Sequence, residues 1–244
     1  MKTLKENILA CDQNVPRYTS YPTAPYFKAV PSSEKAECWL HDLADIGQVS
    51  LYIHIPFCPK LCWYCGCHTK ITRKYKPVEN YIDLLLHEID LLAERLKRGH
   101  QISQIHFGGG SPGMMSVTDF VRVMTKLKAS FNLQKSCEIA MEIDPRNINE
   151  IKVATYAKYG VNRISLGVQD FDDKVLNAVN RQQPFYLTYD VVRMFRKYGI
   201  DQFNFDVMYG LELDKSKVEV ALHGDFRQEH HLQGLWFNLC FHGR

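Results

Sequence analysis

Apolar residues recur along the chain with two different periods. In some stretches every second residue is apolar, which is typical of a strand, and in others apolar residues lie three and four positions apart, which is typical of a helix with one buried face. From residue 51 onward the two kinds of stretch alternate. The predicted strands are 51–55, 102–107, 138–143, 163–168 and 203–207. The predicted helices are 77–96, 116–127, 149–159 and 187–198.

Repeated strand–helix units predict an α/β fold, because parallel strands need a crossover, which a helix usually supplies and which is right-handed. We expect a partial (β/α)6 barrel of the TIM type over residues 51–211. Residues 1–50 form a separate region in this prediction, with an extended arm at 16–27, rich in proline and tyrosine, and a helix at 33–46.

The predicted strands differ from those of an ordinary parallel barrel, which are apolar on both faces. Here polar residues occupy every second position, and we expect them to line the lumen of the barrel as a cavity for a polar ligand. An antiparallel sheet with one wet face would alternate in the same way, but the helices between the strands argue against it. The polar positions include Tyr52, His54, His106, Glu142, Gln169 and Asp206.

Four of the eight cysteines lie within ten positions, directly after the first predicted strand. Cys58, Cys62 and Cys65 are spaced CxxxCxxC, and three thiolates on one short loop can cap three irons of a [4Fe–4S] cluster and leave the fourth iron open. A structural zinc site is the alternative, since Cys67 or His68 would supply a fourth ligand.

A second motif follows the second predicted strand. Three consecutive glycines precede Ser111 and Pro112, and glycine lets the backbone approach a ligand closely. A tight turn would explain this run equally well when it is taken alone. A buried carboxylate or amide needs a partner, so Glu142, Gln169 and Asp206 are candidate ligand contacts, with Arg181 on a nearby segment.

Net charge and the distribution of apolar residues bear on whether the protein binds nucleic acid or a membrane. The net charge of +3 gives no reason to expect nucleic acid as a partner. The sequence has no apolar run of the length that a membrane span needs, and its first residues do not resemble a signal peptide. We expect a cytoplasmic protein without a membrane partner.

Taken together, the motifs resemble the oxygen-independent coproporphyrinogen III oxidase family of radical-SAM enzymes. Residue 67 and the arm at 16–23 are specific to that family, whereas a related haem-carrying branch lacks both. The matching stretches are 16–23, 52–58, 65–67, 108–112, 142–146, 167–171, 179–181 and 206–211.

The resemblance implies a radical-SAM barrel, one [4Fe–4S] cluster on Cys58, Cys62 and Cys65, and two molecules of S-adenosylmethionine (SAM). It implies that Cys67 is not a cluster ligand. The residues implied for the cluster-bound SAM are Tyr52, Gly109 and Glu142. Those implied for the second SAM are Tyr64, Gly110, Ser111, Gln169, Arg181 and Asp206.

The reaction that the resemblance implies converts two propionates of coproporphyrinogen III into vinyl groups, giving protoporphyrinogen IX for haem synthesis without oxygen. An electron donor is implied without its identity, and we expect a monomer. Two other functions stay open: a haem-binding carrier related to the enzyme, and an inactive fragment of it.

The resemblance stops after residue 211. Residues 212–235 do not match, and Trp236 to Asn238 return in the expected register before the chain diverges again. We expect a frameshift near Asn238 and a divergent tail at 212–244 in place of the family's C-terminal domain.

Overall fold

A computed structural model describes residues 26, 28, 33–43, 47–96 and 100–208, and the backbone of residues 236–241. The chain divides into two compact units, Met1–Trp39 and Leu40–Arg244. Most of the predicted arm at 16–27, and residues 212–235 and 242–244 of the predicted tail, lie outside the described residues.

The described residues form eight strands and six α-helices. The strands are β1 (Gln48–Ile55), β2 (Phe57–Cys58), β3 (Lys70–Ile71), β4 (Gln101–Gly109), β5 (Asn132–Ile143), β6 (Arg163–Gln169), β7 (Gln202–Met208) and β8 (Trp236–Phe241). The helices are α1 (Ser33–Asp42), α2 (Lys76–Arg95), α3 (Val117–Ser130), α4 (Glu150–Tyr159), α5 (Asp173–Ala178) and α6 (Phe185–Lys197). Short 3-10 turns follow two strands, at Pro112–Met114 and Pro145–Asn147.

One six-stranded sheet organises the second unit. Its order is β1-β4-β5-β6-β7-β8, and the first five strands are parallel. The strands β2 and β3 pair with each other in a separate small sheet. All five predicted strands and the four predicted helices after residue 51 are confirmed, and the α/β class with them.

The last strand differs from the predicted repeat. β8 runs antiparallel to β7, with Met208 opposite Trp236 and Phe203 opposite Phe241. An antiparallel strand begins at the end of the sheet where its neighbour finishes, so no crossover connection is needed between the two strands. The described sheet is therefore mostly parallel rather than a uniform (β/α)6 repeat.

The largest differences between the elements and the prediction concern a strand start, a helix end and a helix that was not predicted. β5 begins at Asn132, six residues before the predicted start, where its side chains are mostly polar and exposed. The helix predicted at 33–46 ends at Asp42, and residues 44–46 are outside the described part. The short helix α5 was not predicted, because its six residues are too few to display a helical period.

The apolar face of the sheet and the inner faces of the helices form one core. Phe107 of β4 packs against Phe120 of α3, with ring centroids 5.8 Å apart, and Phe120 meets Tyr156 of α4 at 4.6 Å. Ile53 and Ile55 of β1 are buried, whereas Tyr52, on the opposite face of the strand, is 58% exposed. The predicted division into an apolar and a polar face is confirmed in β1, whereas in β7 the polar Asn204 is buried and the apolar Phe205 and Val207 are half-buried.

Local chemistry fixes where the helices begin and end. The Ser116 hydroxyl accepts a hydrogen bond from the backbone N–H of Asp119 at the start of α3. Gly160 ends α4 in the left-handed conformation, with φ +97°. In the described part of the chain, no helix combines the length and the apolar character needed to cross a membrane.

Gly199, after α6, gives a stability prediction. Its φ of +80° is left-handed, and a Cβ there would meet nothing within 4 Å. Gly199→Ala should therefore lower the free energy of unfolding by about 1 kcal/mol through backbone strain alone. Urea denaturation followed by circular dichroism measures this. Gly47 is equally open but not left-handed, so Gly47→Ala is the matched control and should not lower stability. Equal effects of the two substitutions would contradict the explanation.

Candidate active site at the carboxyl ends of the strands

The carboxyl ends of β1, β4, β5 and β6 meet at one edge of the sheet, as parallel strands require. The carboxyl-terminal parts of these strands and the segments that follow them carry the cysteines, the glycine run and most of the predicted polar residues. In barrels of this class, this edge is where catalytic residues collect.

The cysteine loop lies between the two short strands β2 and β3 and is fixed at several points. Within the loop, the backbone N–H of Cys65 donates to the Cys62 carbonyl at 2.9 Å. The Trp63 N–H donates to the carbonyl of Val179 at 3.1 Å, and the Asn180 side chain donates to the Leu61 carbonyl at 2.7 Å. The segment after α5 therefore holds the loop in place.

The cysteines of the loop differ in exposure. Cys62 is buried, Cys58 and Cys65 are half-buried, and Cys67 is exposed. Burial raises the pKa of the Cys58 thiol. Among the described residues, no three His, Cys, Asp or Glu side chains lie close enough to bind one metal ion. A cubane cluster places one thiolate on each of three irons, so its ligands need not converge on a single point.

Two arginines face the buried sulfur. Arg146 Nη2 and Arg181 Nη1 each donate to Cys62 Sγ at 3.5 Å. Asp144 joins them, with its Oδ2 2.6 Å from Arg146 and its Oδ1 3.8 Å from Arg181. Burial alone would raise the pKa of Asp144, but Arg181 and Arg146 hold it below its usual range. These positively charged surroundings stabilise a thiolate or an anionic cluster.

The glycine run is built into the sheet with no room for side chains. A Cβ on Gly108 would lie 2.8 Å from the Tyr52 hydroxyl and 2.9 Å from Glu142 Oε1, and one on Gly110 would lie 2.8 Å from the carbonyl oxygen of Phe57. The N–H of Gly110 donates to the Ile55 carbonyl at 3.0 Å. A side chain at position 110 would collide with the backbone, and one at position 108 would displace the side chains of Tyr52 and Glu142.

Tyr52, Gly109 and Glu142, predicted as one contact set, are brought together. The N–H of Gly109 donates to Glu142 Oε2 at 3.2 Å. The imidazole of His106 bonds the other oxygen of Glu142 at 3.0 Å and stacks on the Tyr52 ring at a centroid distance of 5.7 Å. Burial and the Glu142 carboxylate raise the pKa of Tyr52. The sequence placed His106 on the polar face but gave it no role.

The second predicted set contains two buried oxygen atoms without hydrogen-bond partners among the described residues, Ser111 Oγ and Gln169 Oε1. Gln169 also has φ +70°, at a register shift between β6 and β7. A strained residue with an unmatched buried oxygen is typical of a ligand-binding position. Both oxygens would accept hydrogen bonds from a bound ligand that carries donor groups.

The other predicted residues of this set have partners within the protein. Arg181 Nη2 donates to the Gly167 carbonyl at 2.7 Å. Tyr64 lies near Arg181 and Cys62, and burial raises its pKa. Asp206 accepts hydrogen bonds from Ser165 at 3.3 Å and Asn204 at 3.0 Å.

Sequence reasoning missed Asp144 and Arg146. They follow β5 directly, two and four positions after Glu142. The stretch 142–146 is among those that match the family, and its place at a strand's carboxyl end was a further signal, but neither residue was given a role from the sequence.

Comparison with known proteins gives the same picture. Residues 52–222 match the family model described as the Radical SAM superfamily. The chain is 46% identical over 200 residues to an oxygen-independent coproporphyrinogen III oxidase of Bradyrhizobium diazoefficiens and 40% identical to one of Paracoccus denitrificans. Each match covers 82% of this chain and 44% of the relative.

A solved structure agrees. The coproporphyrinogen III oxidase HemN from Escherichia coli, described as a radical SAM enzyme, is 36% identical and superposes with a TM-score of 0.74 over 80% of this chain and 44% of that one. The chain therefore spans less than half the length of the relatives it matches.

Asp206 gives a pH-dependent prediction. Burial raises its pKa above the usual range, and the Glu142 carboxylate adds to the rise. Its ionised form is therefore less favourable in the folded than in the unfolded protein, and Asp206→Asn should raise the free energy of unfolding at pH 7 by on the order of 1 kcal/mol. The gain should disappear below about pH 3.9, the unfolded pKa.

Urea denaturation at pH 3 and pH 7 measures this difference. Asp201 is exposed, so Asp201→Asn is the matched control and should change stability little at either pH. A loss of stability in Asp206→Asn at pH 7 would show that its hydrogen bonds outweigh the burial of its charge.

Proposed function

The chain belongs to the radical SAM superfamily, and we propose that its site serves the oxidative decarboxylation of coproporphyrinogen III to protoporphyrinogen IX. Each of two propionate side chains would become a vinyl group by losing a hydrogen atom to the 5′-deoxyadenosyl radical, carbon dioxide, and one electron to an external one-electron acceptor. The observation that carries the proposal is the cysteine loop beside the glycine run, in a chain 46% identical to an enzyme of that name. Because the chain spans 44% of that relative, the complete reaction is part of the proposal.

The family's cofactors are a [4Fe–4S] cluster and SAM. When bound, they supply a 5′-deoxyadenosyl radical that removes hydrogen from the substrate side chain. Cys58, Cys62 and Cys65 would hold the cluster, one thiolate to each of three irons. Their loop is attached to the segment after α5 through Trp63 and Asn180, which would keep the three sulfurs in a fixed arrangement.

The first SAM molecule would lie over the polar ends of β1, β4 and β5. Glu142 is held by the Gly109 N–H and His106, which leaves its carboxylate oriented toward a ligand's hydroxyl groups. Tyr52 is 58% exposed beside it and offers both a ring face and a hydroxyl. The absent side chain at Gly109 allows the ligand to approach the backbone.

The second SAM molecule would take its contacts from Tyr64, Gly110, Ser111, Gln169, Arg181 and Asp206. The unmatched oxygens of Ser111 and Gln169 support this assignment, because a ligand that donates hydrogen bonds would satisfy them. Arg181 and Asp206 supply opposite charges, which suits a zwitterionic amino acid group.

The proposal is tested by one anaerobic experiment on the reconstituted chain. We expect four irons per chain and, with dithionite, SAM and coproporphyrinogen III, formation of 5′-deoxyadenosine. Replacing Cys58, Cys62 or Cys65 by serine should abolish both the cluster and deoxyadenosine. The exposed Cys38 lies outside the loop, so Cys38→Ser is the matched control, and Cys67→Ser should retain four irons.

The vinyl product separates the remaining possibilities. Its formation together with deoxyadenosine would support the full activity. Deoxyadenosine without vinyl product would mean that the cofactor site works but that decarboxylation needs parts of the relatives that this chain does not match. A protein that holds its cluster and forms neither product would contradict the proposed enzyme and favour a carrier or an inactive fragment.

Gln169 tests the second SAM site separately. Gln169→Met removes the unmatched oxygen while keeping side-chain length, so stability should be unchanged or higher, because no hydrogen bond within the protein is lost. Equilibrium binding should show two SAM molecules per wild-type chain and one per variant. Gln202 is exposed, and Gln202→Met should leave the count at two. A variant that still binds two would exclude Gln169 from the site.

A further inference from the structure

We propose that Arg146 is a positioning residue for the iron–sulfur cluster. Its guanidinium fixes Cys62 Sγ and makes the cluster easier to reduce. The inference rests on the proposed function, since it requires a cluster bound to Cys62. It goes beyond that function by assigning control of the electron-accepting step to a residue that touches neither SAM nor the substrate in the proposal.

The contact with the sulfur is direct and shielded from water. Arg146 Nη2 lies 3.5 Å from Cys62 Sγ, which is within hydrogen-bond range for sulfur. The Cys62 residue is 8% exposed, and the side chain of Arg146 is 15% exposed. Water competes little for either group at this level of exposure, so the electrostatic effect of the guanidinium on the sulfur is strong.

Arg146 is held rigidly in the orientation that this contact needs. Its Nε donates to Asp144 Oδ1 at 2.9 Å and its Nη2 to Asp144 Oδ2 at 2.6 Å, so the pair is bidentate. The backbone N–H of Arg146 also donates to Asp144 Oδ1, at 3.0 Å, at the start of the 3-10 segment. A fork held by two bonds, on a backbone held by a third, loses little entropy when it donates a further bond.

The charges in the cluster's surround do not cancel. Two guanidinium groups, from Arg146 and Arg181, face Cys62, and one carboxylate, from Asp144, lies between them. The three groups together carry a net charge of about +1 toward the sulfur at neutral pH. A positive surround stabilises the more negative, reduced form of a cluster more than the oxidised form.

Hydrogen bonds to cluster sulfurs and nearby charge are two of the main means by which proteins set the potential of an iron–sulfur centre. Arg146 supplies both a hydrogen bond to the Cys62 sulfur and a positive charge beside it. Removal of Arg146 should therefore lower the reduction potential, while the three cysteine ligands and their loop stay in place.

Arg146 is a better test of this idea than Arg181. Arg181 also donates to the Gly167 carbonyl and belongs to the proposed second SAM site, so its replacement would change several properties together. The side-chain bonds of Arg146 are to Asp144 and Cys62.

The test is a redox titration of the reconstituted chain, followed by electron paramagnetic resonance, without SAM or substrate. We expect Arg146→Gln to lower the ratio of reduced to oxidised cluster several-fold at the wild-type midpoint. A tenfold change would correspond to about 59 mV for a one-electron couple. Arg146→Lys, which retains the charge but loses the fork, should show a smaller shift of the same sign.

Arg163 provides the matched control. It pairs with Glu138 at 3.2 Å near the amino ends of the strands, and its side chain is 38% exposed. Arg163→Gln should leave the ratio unchanged. Circular dichroism and iron content would establish that each variant is folded and loaded, and Arg146→Lys serves as the reporting variant if Arg146→Gln does not fold.

The outcomes separate the inference from the function beneath it. A wild-type chain that takes up no [4Fe–4S] cluster would overturn the proposed function and this inference with it. A wild-type chain that takes up the cluster, with the same reduced fraction in both Arg146 variants, would overturn the inference alone.

Discussion

The close approach of the glycine backbone to its neighbours is the constraint on which the rest of the site depends. A Cβ on Gly108 would displace the Tyr52 hydroxyl and the Glu142 carboxylate, and one on Gly110 would collide with the backbone carbonyl of Phe57. The N–H groups of Gly110 and Ser111 then bond the carbonyls of Ile55 and Phe57. These contacts set where β1 ends, and therefore where the cysteine loop begins.

Charge is distributed around this glycine run in two separate groups. On one side, Arg146 and Arg181 outnumber Asp144 and surround the buried sulfur of Cys62 with positive charge. On the other side, burial raises the pKa of Asp206, and the nearby Glu142 carboxylate raises it further. One edge of the sheet thus offers a cationic region beside an anionic one, as a site for both an anionic cofactor and a zwitterionic ligand would require.

The sequence predicts much of this arrangement, because the relevant signals are local. The alternation along β1 and β4 indicates which face is polar, and the spacing of the cysteines and the three glycines mark the ends of two strands. Contacts between distant segments carry no comparable signal. The bond from Arg146 to Cys62 joins residues 84 positions apart, and the direction of β8 depends on pairing rather than on any period within its six residues. The unmatched oxygen of Gln169 is likewise visible only when the surrounding atoms are placed.

The attachment of the cysteine loop has a consequence for the order of events during synthesis. The loop is bonded to Val179 and Asn180, which follow it by more than a hundred positions. Translation proceeds at about 5–20 residues per second, so the ribosome releases the cysteines several seconds before the residues that hold them in place. A nascent chain therefore exposes four thiols on an unsupported loop for that interval. Delivery of iron and sulfide to a correctly shaped site has to wait until the fourth parallel strand and α5 have emerged.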